Sequence, residues 1–194
     1  MTFMNSGLPR ALIAACACFV LFQGNAAAQS DYPFVPPDFD VPEQLETGTY
    51  RLRMLTTSDV VKDYDAVMSS AAHINELWNG VSWPEGLTIE QNLIDLGWHQ
   101  KEFQRRRSFA FTVTDLDGER VLGCVYINPT RKRGYDAVVY LWTRPSDQTD
   151  LVTPEKLRET GRAWLREDWP FESPVFPGTD VEWDAWDALE EVKR

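Results

Sequence analysis

The segment between Arg107 and Arg144 constrains the fold more than any other part of the chain, because it reads as consecutive strands. Phe109, Phe111 and Val113 alternate with smaller or polar residues, which is the two-residue period of a strand with one apolar face. The run Asp115 to Gly118 follows, and Asp-Gly supplies the positive φ angle that a tight turn needs. This part of the sequence therefore predicts a β-hairpin.

The stretch from Tyr135 to Thr143 predicts a further strand that is apolar on both faces. One face carries Val139 and Leu141, and the other carries Val138, Tyr140 and Trp142. A strand with two apolar faces has to be covered on both sides. We therefore expect a sheet that lies between two layers of helices.

Helices are predicted before and after these strands. A strand over Tyr50 to Leu55 precedes the first helix. Each helix has a recognisable N-terminal signal, either a capping box or an N-cap followed by proline. These signals are Thr56 with Asp59, Thr88 with Gln91, Thr153 with Pro154, and Thr179 with Glu182.

The apolar positions of each helix then predict its buried face. The predicted faces are Val60, Tyr64, Val67 and Ala71 in the first helix; Ile89, Leu93, Leu96 and Phe103 in the second; Leu157, Gly161, Trp164 and Leu165 in the third; and Trp183, Trp186 and Leu189 in the last. Between the last two helices, Pro174 to Pro177 is a short apolar segment.

Length and composition favour one folded domain, since the chain has 194 residues and is 43% apolar. Residues 1–28 resemble a secretory signal, with Arg10 ahead of an apolar run and Ala26 to Ala28 as a small-residue cleavage site. Residues 29–49 are rich in proline and predict a linker or strap. The domain itself is assigned to 50–194. We expect a periplasmic or secreted protein, or a cytoplasmic one if the start codon is mis-assigned.

Charge and cysteine content limit the partners. The formal net charge of −11 argues against nucleic acid or an anionic lipid surface, and no membrane association is expected after signal removal. Cleavage after Ala28 leaves Cys124 as the one cysteine, so neither a disulfide framework nor a paired-cysteine metal site is expected. No metal is predicted, and the oligomeric state is left open.

The order of these elements resembles the GNAT superfamily of N-acetyltransferases. The resemblance rests on RLRMLTTSD at the start, on LDGERVLGCVYI in the strand pair, and on YDAVVYLWTR with its following helix. It implies an α/β (α+β) fold with a central mixed, mostly antiparallel sheet flanked by helices on both faces. It also implies transfer of an acyl group from acyl-CoA to an amine, with acetyl-CoA as a substrate and a small-molecule amine as acceptor.

The resemblance also implies a cofactor site along the central strand. The strand Ala137 to Thr143 would splay from its neighbour and offer backbone groups to pantetheine, at Val139, Leu141, Trp142 and Thr143. The next loop and helix start would hold the pyrophosphate, through Arg144 and Thr153. The loop from Arg144 to Thr153 contains no glycine and carries two aspartates.

Two residues are candidates for proton transfer. Tyr140 lies on the central strand, where its hydroxyl would protonate the leaving thiolate. His99 lies near the end of the second helix and is a candidate general base, because its ordinary pKa is close to neutrality. Each also has a structural alternative. Tyr140 would then be a core tyrosine with one hydrogen bond, and His99 would be a packing or surface histidine.

The glycine-free loop keeps a second hypothesis open, an exported non-catalytic GNAT-fold module that has lost acyl-CoA binding and binds an unknown ligand. Trp78 and Trp83 would then line a ligand cleft. The basic runs Arg105 to Arg107 and Arg131 to Arg133 are candidates for anion binding. A groove beside Val139 to Thr143 would favour the enzyme, and a filled groove would favour the binding module.

Overall fold

The structure is a computed structural model, and it describes residues 34–192. The predicted signal sequence lies outside these residues. Six strands and five α-helices form the described part. In chain order they are β1 Gln44–Glu46, β2 Arg51–Met54, α1 Val60–Ser69, α2 Ala71–Leu77, α3 Ile89–Gln104, β3 Phe109–Thr114, β4 Val121–Pro129, β5 Ala137–Thr143, α4 Pro154–Asp168, β6 Pro174–Val175 and α5 Trp183–Ala188.

The six strands form one sheet in the order β1-β2-β3-β4-β5-β6. Neighbouring strands are antiparallel from β1 to β5, whereas β5 and β6 are parallel. The mixed, mostly antiparallel sheet that was expected is therefore confirmed. The predicted hairpin is also present, since Gly118 has a φ of 72° and its N–H donates to the Asp115 carbonyl at 3.1 Å.

Both faces of the sheet are covered, as the apolar pattern of β5 predicts. On one face, Trp164 of α4 and Trp169, which follows α4, pack against Phe109 and Phe111 of β3. On the other face, α1, α2 and α3 cover Trp142 and a cluster of smaller apolar side chains. Burying each of these large aromatic side chains contributes about 2 to 3 kcal/mol, so the two layers account for much of the stability.

The proline-rich segment lies against the α4 face of the sheet. The N–H of Phe34 donates to the carbonyl of Arg106 at 2.8 Å, and the Arg106 guanidinium in turn donates to the carbonyls of Pro36 and Phe39. Phe34 stacks on Phe171 with ring centroids 4.8 Å apart. Within the same segment, Gln44–Glu46 pairs with β2 as an edge strand that the sequence did not predict.

Three of the four predicted helix signals are confirmed, and the fourth is wrong. Thr56 and Thr88 form capping boxes, and Thr153 caps α4. The box at Thr179 does not open a helix, because α5 begins at Trp183 with Glu182 as its N-cap. Asp180 instead holds the preceding turn, with its carboxylate accepting from the N–H of Phe176 at 2.9 Å.

The predicted buried face of α3 is also partly wrong. Leu96 is 3% exposed, but Ile89 and Leu93 are 38% and 44% exposed. The buried side runs through Asn92, Leu96 and Phe103, about 60 to 100° around the helix from Leu93. The polar Asn92 belongs to this side because it donates a hydrogen bond to Asp63 of α1 at 2.9 Å.

Candidate functional site

Strands β5 and β6 separate soon after they meet, and a cavity opens between them. Their pairing covers Ala137 with Pro174 and Val138 with Val175. From Val139 onward, β5 lines a cavity of about 250 Å³, which we name the β5 cleft. The lining of the cleft comes from β5, from the end of α2, from α4 and from the segment after β6. It includes Trp78, Tyr140, Leu141, Arg158, Thr179 and Trp183. A groove beside β5 is therefore present.

The backbone of Leu141 faces this cleft. The indole N–H of Trp78 donates to the Leu141 carbonyl at 3.1 Å, from the side of the strand opposite β4. The N–H and carbonyl of one strand residue point to the same side, so the Leu141 N–H faces the cleft as well. Because β6 has already diverged, no strand covers this edge of β5, and a ligand that displaces the Trp78 indole can pair with it.

The segment after β6 forms the outer wall of the cleft. Gly178 has a φ of 77°, and its N–H donates to the Val181 carbonyl at 2.8 Å. A Cβ atom on Gly178 would lie 2.5 Å from the indole nitrogen of Trp183, so only glycine allows this close packing. Asp180 fixes the other end of the wall through its ion pair with Arg162 of α4.

Tyr140 lies in the cleft between aromatic rings. Its ring is parallel to that of Trp183, with centroids 6.3 Å apart, and meets Trp78 edge to face at the same distance. Burial raises the pKa of Tyr140, a hydrogen bond with the Trp186 side chain lowers it, and the charge of Asp187 raises it. The net shift is upward, so the hydroxyl holds its proton at neutral pH and is suited to donating it.

His99 is not among the residues that line the cleft. It packs against Tyr126 of β4, with ring centroids 5.1 Å apart. Burial lowers its pKa to about 4, and the charge of Glu102 opposes the shift only in part. The imidazole is therefore neutral at pH 7, but the structure does not bring it beside Tyr140 in the cleft.

Two charged residues that were not predicted from the sequence also line the cleft. Glu76 is exposed near the end of α2, and Arg158 is half-buried in the second turn of α4. Arg158 forms no ion pair within residues 34–192, so its guanidinium is available to a ligand. Neither residue carries a sequence signal, because each lies on a helix among many other charged residues.

The candidate strand residues have different surroundings. The side chains of Val139 and Leu141 pack in the α4-side core, so only their backbone is offered to the cleft. Trp142 points to the opposite face, where its indole N–H donates to the Tyr126 hydroxyl at 3.4 Å. Thr143 is fully buried, and its hydroxyl has no hydrogen-bond partner in the described part of the chain.

Arg144 ties the loop after β5 to the rest of the domain. Its guanidinium donates to the Val121 carbonyl at 2.7 Å and to the Ser69 hydroxyl at 2.7 Å, and it pairs with Asp65 of α1. The side chain is only 6% exposed. Its charge and most of its donors are thus used within the protein.

Thr153 is likewise engaged at the start of α4. Its hydroxyl oxygen accepts the Lys156 N–H at 3.3 Å, and its carbonyl accepts the Leu157 N–H at 2.9 Å. The first residue of α4 is Pro154, which has no N–H. The expected phosphate-binding role of Arg144 and Thr153 therefore stays a prediction, and both side chains already have partners.

The remaining aromatic and basic candidates are held by neighbouring residues. Trp83 stacks on Trp78, with centroids 5.6 Å apart, but does not itself line the cleft. Arg131 pairs with Glu191, and Arg133 pairs with Glu190, so this basic run anchors the segment after α5.

Within residues 34–192, no group of three or more histidine, cysteine, aspartate or glutamate side chains is placed to hold a metal ion. Among the helices that the structure describes, none has the length and apolar content of a membrane span.

Comparisons with known proteins agree with the architecture described above. No protein-family model matches the sequence, and no curated protein matches it. Among solved structures, the ribosomal-protein-S5-alanine acetyltransferase of Vibrio fischeri superposes with a TM-score of 0.51 at 18% identity, over 66% of this chain and 68% of that one.

Two further solved structures have the same architecture. An acetyltransferase of Salmonella typhimurium that modifies the N-terminal serine of ribosomal protein L7/L12 gives 0.50 at 16% identity, over 66% and 71% of the two chains. A structure described as a probable acetyltransferase gives 0.56 at 7% identity, over 69% and 72%. At these identities the likeness concerns the fold. Residues 34–192 thus contain a GNAT N-acetyltransferase-like fold, as the order of elements in the sequence led us to expect.

Proposed function

We propose that this protein is an acyltransferase that moves an acyl group from a pantetheine thioester, of which acetyl-CoA is the simplest example, to a small amine. The observation that supports this proposal is the β5 cleft. It opens where β5 leaves β6, and the edge of β5 at Leu141, which no strand covers, presents backbone groups to a bound ligand. A pantetheine arm carries two amides, which are suited to pairing with such an edge.

The donor binds with its thioester beside Leu141. Its amide takes the place of the Trp78 indole at the Leu141 carbonyl, and the Leu141 N–H donates to the thioester oxygen. A backbone donor in a site shielded from water stabilises the negative charge that develops on this oxygen in the transition state.

The chemical step uses Tyr140 as the acid. The amine nitrogen attacks the thioester carbonyl carbon, and the C–S bond breaks as the amide forms. The leaving thiolate takes the Tyr140 proton, and the proton lost by the amine passes to the carboxylate of Glu76 through water. Glu76 also attracts an acceptor that arrives as an ammonium ion, and this attraction favours amines over alcohols as substrates. Such an acceptor releases one proton to bulk water before its nitrogen attacks, so the proton that passes to Glu76 is the one lost as the amide forms.

Calorimetric titration with acetyl-CoA tests the proposal, with two variants at one position of the outer wall. Thr179 is exposed and lines the cleft. Thr179→Trp fills the mouth and is expected to weaken binding about tenfold or more, whereas Thr179→Ser leaves the cleft open and preserves it. No heat with the unmodified protein at millimolar ligand would reject the acyltransferase and favour the non-catalytic binding module.

A further inference from the structure

The β5 cleft takes its lining from both faces of the sheet. Because side chains alternate along a strand, Tyr140 points to the same face as Val138 and Trp142, and α2 and α5 cover this face. Val139 and Leu141 point to the other face, which α4 covers. The cleft therefore has an α4 side and an α2–α5 side, and Tyr140 belongs to the α2–α5 side.

The two sides carry opposite charges. Arg158 of α4 is the one lysine or arginine among the lining residues, and Glu76 of α2 is the one carboxylate. Neither α2 nor α5 contains a lysine or an arginine. Within residues 34–192, Glu76 and Arg158 each form no ion pair. The α2–α5 side therefore attracts cations, since its carboxylate is not neutralised by the protein.

Asp187 adds a second carboxylate to this side. It follows Trp183 by four residues in α5, so the two side chains share one face of the helix. The Trp183 ring lines the cleft and is parallel to the ring of Tyr140. Burial raises the pKa of Tyr140, and the charge of Asp187 adds to the increase, so this charge acts on the Tyr140 hydroxyl. The surroundings of Tyr140 thus include two carboxylates, one from α2 and one from α5.

One cation lies near Asp187 without neutralising its carboxylate. The Lys132 ammonium donates to the backbone carbonyls of Asp187 and Leu189, at 3.0 and 3.1 Å. It thus interacts with the C-terminal end of α5, where carbonyl groups lack partners within the helix. The Asp187 side chain is exposed and has no ion pair in the described part of the chain, so its carboxylate is available to a ligand.

We propose that the acceptor is a diamine or a longer polyamine, whose reacting amine lies beside Glu76 and whose second ammonium group is held by Asp187. The inference rests on the proposed function, because it names the acceptor class of the same cleft. Trp78 and Trp183 line this side, and tryptophan rings attract cations. The reacting nitrogen forms the amide as described above, whereas the second ammonium keeps its proton throughout and only positions the acceptor.

Three amines of equal length test the inference on the full chain, with acetyl-CoA as the donor. 1,4-Diaminobutane, n-pentylamine and 5-aminopentanoate carry the reacting amine on the same methylene chain, and they end in an ammonium, a methyl group and a carboxylate. We expect kcat/KM to fall in this order, by about tenfold or more at the first step. The differences should shrink as the salt concentration rises from about 50 to about 500 mM, because they depend on charge.

Two outcomes of this series would contradict the proposal in different ways. Equal kcat/KM values for 1,4-diaminobutane and n-pentylamine would overturn the inference while leaving the acyltransferase standing. Transfer to none of the three amines, together with no binding of acetyl-CoA, would overturn the inference and the proposed function together.

Variants in α5 locate the second ammonium. Asp187→Asn should lower the ratio of kcat/KM between 1,4-diaminobutane and n-pentylamine about five- to tenfold, whereas Asp187→Glu keeps the charge and most of the ratio. Asp184→Asn removes the same charge at a position about 100° around the helix from Trp183, so it should change the ratio less than about twofold. An equal loss for both amines in Asp187→Asn would mean that Asp187 acts on Tyr140 and not on the acceptor, and it would overturn the inference.

Discussion

The indole nitrogen of Trp78 lies 3.1 Å from the carbonyl oxygen of Leu141 and donates a hydrogen bond to it. Trp78 follows α2, and Leu141 lies on β5 three residues past Val138, the last residue that pairs with β6. The Trp78 side chain therefore supplies the hydrogen bond that a neighbouring strand supplies elsewhere in the sheet. Because buried carbonyls need a partner, a ligand that pairs with this edge has to displace the indole.

Trp78→Phe should lower stability and strengthen donor binding. It keeps an aromatic ring but removes the N–H, which costs about 1 kcal/mol in the free energy of unfolding. The Leu141 carbonyl is then free, and a pantetheine amide no longer competes with the indole. We expect acetyl-CoA to bind about three- to fivefold more tightly by calorimetry.

Trp83→Phe is the matched control for this change. Trp83 stacks on Trp78 but is not among the residues that line the cleft. Loss of its indole should lower stability without tightening donor binding. If both variants tighten binding equally, the gain comes from looser packing of the loop and not from the freed carbonyl.

Gly178→Ala should disturb the wall of the cleft. The added Cβ would meet the Trp183 indole at 2.5 Å, and alanine is also strained at a φ of 77°. Gly118→Ala has a similar φ of 72° but no atom within 4 Å, so it measures the backbone strain alone. Urea denaturation should give a loss of about 1 kcal/mol for Gly118→Ala and about 1 to 3 kcal/mol more for Gly178→Ala. Equal losses would show that Trp183 moves aside without cost.

The sequence predicted the sheet well because strand periodicity is a local signal. Phe109, Phe111 and the apolar stretch of β5 each report which faces are buried, without reference to the rest of the chain. The face of α3 was harder to predict, because its buried side includes the polar Asn92, and that burial depends on Asp63, which lies 29 positions earlier.

The β5 cleft could not be predicted to the same extent. Its walls come from Trp78, Leu141 and Trp183, which are distant in sequence and meet only in the fold. Tyr140 was named in advance because the GNAT resemblance identified its strand as the one beside the substrate, and it does line the cleft. Glu76 and Arg158 were missed, because an exposed charge on a helix looks the same whether or not it faces a cavity.

Tyr140→Phe should slow acyl transfer without weakening substrate binding. It removes the proton donor for the thiolate, so kcat should fall about 10²- to 10³-fold while KM stays nearly the same. Tyr126→Phe is the control, since Tyr126 is paired with Tyr140 across β4 and β5, and its hydroxyl binds Trp142 outside the cleft. Equal losses in both variants would assign the effect to packing, and an unchanged kcat in Tyr140→Phe would remove it from the mechanism.

Asp63→Asn should change the pH dependence of stability. Asp63 is buried between α1, α3 and β4, where it accepts hydrogen bonds from Asn92 at 2.9 Å and from the Cys124 thiol at 3.7 Å. Burial, which outweighs these bonds, raises its pKa to about 6, and the charges of Asp59 and Asp95 add to the increase. Since the folded pKa lies above the unfolded value, the destabilisation is complete above about pH 6 and is relieved as the pH falls towards about 4.

An asparagine at this position carries no charge, so the variant should lack this pH-dependent penalty. At about pH 7.5 Asp63→Asn should be more stable than the unmodified protein by on the order of 2 kcal/mol, and this advantage should disappear near pH 4. Urea denaturation of both proteins across this range measures the difference, and Glu159→Gln at an exposed site should show none. An advantage that stays constant from pH 4 to 7.5 would mean that the gain comes from the amide hydrogen bonds, and that Asp63 is not the group that titrates.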